Sequence, residues 1–99
     1  MFVAIQHTIT DPRKWDEITE KLTPMIEHGQ LPKDMRPVFY LPSTDGRKAL
    51  CLWEVDSVEN LKRFLDPYTS PASRNEYFQI SVEHAFGLPV HTPEKAHVC

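Results

Sequence analysis

The sequence predicts an α+β domain in which four strands and two helices follow one another in the order β-α-β-β-α-β. Two observations indicate this: apolar residues alternate with a period of two in some stretches and of about 3.6 in others, and an Asp-Gly pair joins two apolar runs mid-chain. The 99 residues, 40% hydrophobic and 25% charged, suit one domain with a modest core. We expect a folded domain over residues 1–88 and an extended or disordered C-terminal tail over residues 89–99.

The first strand and the first helix have clear signals. Phe2–Ile9 is rich in β-branched and aromatic residues, and its alternate side chains face opposite sides of a sheet. Asp11 then provides a helix N-cap, and Pro12 suits the first helical position. An apolar stripe at helical spacing follows, formed by Trp15, Ile18, Leu22, Met25 and Ile26. We expect this helix to kink at Pro24 and to end at Gly29.

The central stretch Val38–Val55 predicts a β-hairpin. Asp45 and Gly46 suit a type I′ turn, in which both central residues have positive φ angles, and counting outward from them sets the register. Alternation then places two sets of side chains on opposite faces. One set is Phe39, Leu41, Leu50 and Leu52, and the other is Val38, Tyr40, Cys51 and Trp53.

The last third of the chain predicts a helix, a short helical turn and a strand. The helix begins after a cap at residue 56 or 57 and is expected to stop at Pro67. Ser70–Pro71 has the pattern of another helix start, with a helical turn reaching about Glu76. The fourth strand is expected over Phe78–Phe86.

This order of elements is that of the ferredoxin-like fold. Right-handed crossovers give a four-stranded antiparallel sheet with strand order 4-1-3-2 and two helices on one face. We assign to the helices the more apolar face, which comprises Val3, Ile5, Phe39, Leu41, Leu50, Leu52, Ile80 and Val82. The outer face then carries Ala4, Gln6, Thr8, Val38, Tyr40, Cys51, Trp53, Ser81 and Glu83. This outer face is too apolar for solvent, and we expect a second subunit to cover it.

The element order, the length of 99 residues, the apolar outer face and the stretch LCLWEVDSVENLKRFL resemble the dimeric α/β-barrel superfamily. The resemblance covers residues 2–88 and extends to short, uncharacterised families of the nickel-binding or monooxygenase-like type. It implies a homodimer formed through the outer sheet face, with a site for a small-molecule ligand or for a divalent metal such as nickel. The alternative it implies is a cofactor-independent monooxygenase or isomerase acting on a small aromatic or polyketide-like substrate.

Haem-degrading members of that superfamily use a histidine on the second helix. No histidine lies between Val58 and Tyr77 in this sequence, so the resemblance does not extend to haem degradation. Because one fold hosts many activities, the resemblance alone does not fix a reaction.

The candidate ligand-binding residues lie on the first strand, the hairpin and the last strand. They are Gln6, His7, Tyr40, Cys51, Trp53 and Glu83. His7 is the best catalytic candidate, because imidazole titrates near neutral pH and can act as a base or a metal ligand. A histidine that only hydrogen-bonds to a loop is the alternative. The outer-face residues fit either a cavity inside a dimer, with Gln6 or Glu83 as its polar group, or a plain subunit interface.

His7 and His84 are the candidate metal ligands on the strands. Antiparallel pairing places them more than ~10 Å apart, which argues against one shared metal ion within a subunit. Imidazole and thiolate ligands also occur in the tail, at His91, His97 and Cys99, but their spacing matches no established site.

Composition excludes several function classes. The net charge of −3 and a pI near 5.9 give no electrostatic reason to bind nucleic acid or an anionic membrane. The sequence has no glycine-rich phosphate loop, so we expect no nucleotide cofactor. It has no apolar run of about 20 residues and no signal-peptide pattern, and its two cysteines do not make a disulfide framework. We therefore expect a cytoplasmic protein.

Overall fold

The computed structural model describes residues 1–89, which form one antiparallel sheet and two helices. The elements are β1 (Phe2–Ile9), α1 (Pro12–Glu27), β2 (Met35–Pro42), β3 (Lys48–Val55), α2 (Val58–Thr69) and β4 (Ser73–Gln79). The strand order β2-β3-β1-β4 is the predicted order 4-1-3-2 counted from the opposite edge. The ferredoxin-like fold is therefore confirmed. The predicted tail over residues 89–99 lies, apart from Pro89, outside the described residues.

Both helices pack on the sheet face that carries the odd-numbered residues of β1. Val3 and Ile5 are fully buried there with Leu61 of α2, and Leu22 of α1 packs against the same cluster. Because β1 lies between β3 and β4, its side chains are at the centre of this core.

The helix starts agree with the sequence, whereas the end of α2 does not. The side chains of Asp11 and Ser57 each accept a hydrogen bond from a backbone N–H in the first turn. Each helix contains a proline near its C-terminal end, Pro24 in α1 and Pro67 in α2. The expected stop at Pro67 is wrong: burial of Thr69 (2% exposed) in the last turn offsets the one backbone hydrogen bond that proline lacks. Over residues 1–89, neither helix has the length and hydropathy of a membrane span.

The hairpin keeps the predicted register from the turn as far as Phe39 and Leu52, although the turn itself is different. Beyond that pair a register shift between Pro37 and Phe39 places Pro37 opposite Trp53, where Val38 was expected. Tyr40 pairs with Cys51, as counted from the sequence. The type I′ turn is wrong, because Gly46 has a positive φ angle (72°) and Asp45 does not. Instead, the N–H of Gly46 donates to the Ser43 carbonyl at 3.2 Å, and the Ser43 hydroxyl donates to the Asp45 carboxylate at 2.7 Å. The wider loop leads to the same strand pairs from Leu41–Leu50 to Phe39–Leu52.

The faces assigned to the hairpin are reversed in the structure. Ile5 and Val3 lie under the helices, and they pair with Cys51 and Trp53, respectively. Because residues paired directly across a sheet share a face, Cys51 and Trp53 are also on the helix side. Tyr40, which pairs with Cys51, is on that same helix side. The outer face carries Phe39, Leu41, Leu50 and Leu52. Hydrophobicity could not decide the faces, because both sides of the hairpin are apolar.

The last strand covers Ser73–Gln79 rather than the predicted Phe78–Phe86. The predicted helical turn after Ser70 is not formed, because Ser70 is the C-cap of α2. Pro71 directly follows that cap, which is a common position for proline after a helix. The Ser70–Pro71 pattern, which predicts the start of a helix, marks the end of α2 instead.

The segment after β4 covers the centre of the outer face. Its Ile80 donates a backbone hydrogen bond to the Phe2 carbonyl at 2.8 Å. Ile80 and Leu88 pack against a buried cluster formed by Phe2, Ala4 and Leu52. Several apolar side chains of this face and of its covering segment stay exposed, namely Phe39, Leu41, Leu50, Phe78, Val82 and Phe86.

Truncation of Leu61 tests the core that both helices share. Leu61→Ala should lower the free energy of unfolding by about 2–5 kcal/mol, because a fully buried side chain leaves a cavity. Ile26→Ala also shortens an aliphatic side chain, at a position of α1 that is 40% exposed, and should lower it by less than about 1 kcal/mol. Urea unfolding followed by circular dichroism measures both values. Equal losses would contradict the burial described above.

Candidate functional site

An apolar cavity of about 310 Å³ lies on the helix side of the sheet, against α1. Four of the six predicted ligand-binding residues line it: His7, Tyr40, Cys51 and Trp53. The other walls are side chains of both helices and of β2, including Trp15, Ile18, Leu22, Ile26, Pro37 and Leu65. The reversed faces explain its position. The cavity belongs to one subunit and its own helices, whereas we had expected it between two subunits.

Gln6 and Glu83 lie away from this cavity. Gln6 follows Ile5 on the strand and therefore faces the outer side, where it is exposed. Glu83 is exposed in the segment after β4. Neither residue provides a polar group to this cavity, which lies on the other face of the sheet from the one where both were expected to act.

His7 is buried in the cavity wall, at 2% exposure, and both of its ring nitrogens have partners. Nδ1 lies 2.6 Å from Oδ1 of Asn75, and Nε2 lies 3.3 Å from Sγ of Cys51. The strand register accounts for the first contact, since His7 and Asn75 are paired directly across β1 and β4. One imidazole therefore connects three neighbouring strands, the two central strands β3 and β1 and the edge strand β4.

The amide of Asn75 determines which nitrogen of His7 carries the proton. Its Nδ2 donates to the Asp66 carboxylate at 3.1 Å and to the Thr69 hydroxyl at 2.7 Å. A carboxylate only accepts hydrogen bonds, so the amide nitrogen faces Asp66 and the amide oxygen faces His7. The Nδ1–H of His7 must then donate to Asn75. Nε2 is unprotonated and accepts the S–H of Cys51.

Burial keeps both members of this thiol–imidazole contact neutral. It lowers the pKa of His7, and the Asn75 hydrogen bond and the Asp66 charge oppose that shift only in part. Burial raises the pKa of the Cys51 thiol to about 12. The contact is therefore a neutral S–H···N hydrogen bond rather than a thiolate–imidazolium ion pair.

Trp15, the first residue of the apolar stripe predicted for α1, also orients the site. Its ring centroid lies 4.8 Å from that of His7. Its Nε1–H donates to the Tyr40 hydroxyl at 3.0 Å. Burial raises the pKa of Tyr40, which keeps that hydroxyl protonated at neutral pH. Among residues 1–89, no group accepts a hydrogen bond from the Tyr40 hydroxyl. Its O–H is therefore available to donate to a ligand in the cavity.

Asp66 and Asn75 belong to the candidate site, although the sequence assigned neither of them a role. Asp66 also accepts a hydrogen bond from the Tyr77 hydroxyl at 2.6 Å. Burial together with this bond raises the pKa of Tyr77. The helical turn assigned to residues 71–76 concealed Asn75. Residues 73–76 contain no apolar side chain, so no alternation of apolar and polar residues marks the start of this strand in the sequence.

The structure does not bring the strand metal candidates together. His84 is exposed in the segment after β4, with Nδ1 2.9 Å from the Ser81 hydroxyl, whereas His7 is buried under the helices. Within the described part of the chain, no group of three or more His, Cys, Asp or Glu side chains could hold a metal ion. The tail candidates His91, His97 and Cys99 lie outside the described residues.

Comparison with known proteins assigns no family to this chain. No protein-family model and no curated protein matches the chain. Among solved structures it is similar to the solution NMR structure of a de novo designed protein with a ferredoxin fold. The two chains are 18% identical, the match covers 91% of this chain and 93% of that one, and the TM-score is 0.44. The fold and the cavity thus define a ferredoxin-like α+β protein with a candidate site on its helix side.

Acid should destabilise the fold through His7. The pKa of folded His7 lies below the ordinary value of 6.5, so between the two values the unfolded chain binds a proton that the folded chain does not. This stabilisation is complete above pH 6.5 and is lost as the pH falls through the folded pKa. In His7→Gln, which has no ring to titrate, this part of the pH dependence should be absent. Urea unfolding of both proteins from about pH 8 to about pH 5 measures it, and parallel curves would contradict the assignment.

Proposed function

We propose that this protein binds a small, largely apolar ligand in the cavity against α1. The observation that supports this is a cavity of about 310 Å³ with apolar walls, at which the polar groups of Tyr40, Cys51 and His7 converge. Ligand cavities typically measure about 300–1,000 Å³ and combine apolar walls with a few polar groups. The volume is at the small end of that range, which suits a ligand of roughly one or two aromatic rings.

The charges around the cavity favour a neutral ligand. None of the side chains that line it is an Asp, Glu, Lys or Arg. His7 and Cys51 are neutral, because burial lowers the pKa of the one and raises the pKa of the other. The Tyr40 hydroxyl has a proton to donate, so we infer that the ligand carries an acceptor such as a carbonyl oxygen.

Cofactor-independent monooxygenase or isomerase chemistry on a small aromatic or polyketide-like substrate is the second candidate function. A neutral His7 with a fixed tautomer is what supports it, because such a ring is a competent general base. Ligand binding is the better-supported proposal. Nε2 of His7 already accepts a hydrogen bond from the Cys51 thiol, so His7 can act on a ligand only by way of that thiol.

The proposal places the protein in the cytoplasm. Cys51 is a free cysteine, and its thiol hydrogen bonds to His7. A reducing compartment keeps that thiol in the form that the contact requires.

Filling the cavity tests the proposed binding. With 4-phenylbutan-2-one, a small neutral aromatic ketone, we expect saturable binding by calorimetry. Ile18→Trp should weaken it at least about tenfold, because the larger side chain occupies the cavity that Ile18 lines. Glu20→Trp makes a comparable change at an exposed position of the same helix and should leave the affinity unchanged. Equal affinities of a folded Ile18→Trp variant and the unaltered protein would reject this site.

We also propose that two copies associate through the outer sheet face. The support is the group of exposed apolar side chains there, where Leu41 and Leu50 form a cross-strand pair and Phe78 lies on the β4 edge. The face is the one expected from the sequence, although the hairpin residues on it are the other set. The covering segment from Ile80 to Leu88 would form part of that contact.

Light scattering at micromolar concentration tests the association. The unaltered protein should have the mass of a dimer, and Leu50→Glu should have the mass of a monomer, because a buried unpaired carboxylate opposes association. Tyr68→Glu is the matched control on α2, since Tyr68 is 38% exposed and Leu50 is 37% exposed. A monomeric unaltered protein would overturn the proposal.

A further inference from the structure

A nucleophile, a base and an orienting amide lie in one hydrogen-bonded row at the cavity wall. The Cys51 thiol bonds to Nε2 of His7 at 3.3 Å, and Nδ1 of His7 bonds to Asn75 at 2.6 Å. Asp66 holds that amide from α2. A thiol and a base within hydrogen-bond reach, with the base oriented by a third group, is the arrangement of an activated cysteine.

The sheet argues against acyl transfer at this thiol. A tetrahedral intermediate at an acyl carbon needs N–H donors close to the nucleophile. β3 is paired on both sides, with β1 and with β2, so the N–H groups around Cys51 are used in the sheet. The electrophile must therefore be one whose negative charge develops on an atom farther from the sulfur than the oxygen of an attacked acyl group.

Tyr40 supplies a donor at such a distance. It pairs directly with Cys51 across the hairpin, and both side chains line the cavity. Its hydroxyl accepts the Trp15 N–H at 3.0 Å, which orients the oxygen and makes its own proton a better donor. An α,β-unsaturated ketone or aldehyde matches this layout, because its β-carbon accepts a nucleophile while the charge develops on the carbonyl oxygen.

We propose that Cys51 adds to a small, apolar α,β-unsaturated ketone or aldehyde in this cavity, with His7 as the base and Tyr40 as the donor to the carbonyl oxygen. The inference rests on the proposed binding function, since the electrophile must first occupy the cavity. It names the class of ligand that this site would take.

The step balances without any further reactant. The Cys51 sulfur forms a bond to the β-carbon of the ligand as its proton passes to Nε2 of His7. The π electrons of the C=C bond move to the carbonyl oxygen, and the resulting enolate accepts the Tyr40 hydrogen bond. The imidazolium then gives its proton to the ligand carbon next to the carbonyl. The net change is addition of S–H across C=C, and nothing is oxidised or reduced.

Adduct formation with 4-phenylbut-3-en-2-one, followed by intact mass spectrometry, measures the reaction. All proteins carry Cys99→Ser, so that Cys51 is the remaining one of the two cysteines. We expect one adduct, absent in Cys51→Ser. The rate should fall at least about 10²-fold in His7→Gln, because general-base catalysis typically contributes that much. An unchanged rate in a folded His7→Gln variant would overturn the proposal.

Tyr40→Phe separates the donor role from simple packing. It should slow the enone about tenfold and leave the rate with iodoacetamide unchanged, because alkylation by an iodide develops no enolate. An equal effect on both reagents would assign Tyr40 a packing role only and overturn its part in the proposal.

The pH profile of the unaltered site remains decisive if the His7 variant does not fold. With His7 as the base, the enone rate should change little from about pH 7 to about pH 9. A thiol that is deprotonated by hydroxide would instead react roughly tenfold faster per pH unit, and that result would overturn the proposal.

The saturated ketone 4-phenylbutan-2-one distinguishes this proposal from the binding proposal. If it binds and the enone does not react with Cys51, the thiol chemistry is rejected and binding stands. If neither binds nor reacts, both proposals are rejected. Reaction at the full rate in a folded Ile18→Trp variant would show that the thiol reacts from solvent, which also overturns the addition in the cavity.

Discussion

The hydrogen bond between His7 and Asn75 is the constraint on which the arrangement of this site depends. An imidazole buried under two helices requires partners for both nitrogens, since an unsatisfied buried polar group costs about 1–3 kcal/mol. Asn75 satisfies one nitrogen, and Asp66 fixes the amide that does so. No buried side-chain nitrogen or oxygen in residues 1–89 lacks a partner. The bonds therefore fix the position of β4, the last turn of α2 and the tautomer of the ring together.

The same requirement explains the faces of the hairpin. The aromatic and sulfur side chains of Tyr40 and Cys51 carry polar atoms that pair with Trp15 and His7 under the helices. Leucine side chains carry no such atoms, so placing them on the outer face leaves no buried hydrogen-bonding group without a partner. Leu52 is 4% exposed on the outer face because the segment after β4 covers it. Polar pairing thus decides between two faces that hydrophobicity leaves equal.

Local signals in the sequence were sufficient for the fold. The Asp11 cap and the stripe behind it predicted α1, and the apolar runs around Gly46 predicted the hairpin pairs as far as Phe39–Leu52. The candidate site was predicted only in part, because its geometry depends on contacts between distant segments. His7 and Asn75 are 68 residues apart in the chain. A proline pattern at Ser70–Pro71 suggested a helix start, and the error displaced the strand that carries Asn75.

Burial of the thiol–imidazole pair makes its reactivity conditional on a ligand. Charge separation between Cys51 and His7 is unfavourable in an apolar wall, which is why the pKa of the thiol rises to about 12. Separation becomes favourable only when the negative charge leaves the sulfur for an atom that accepts a hydrogen bond, and Tyr40 provides that bond at the same cavity. A hydrogen-bond acceptor on the ligand therefore has to meet Tyr40 at the moment when the Cys51 proton moves to His7, and a ligand without one leaves the pair neutral.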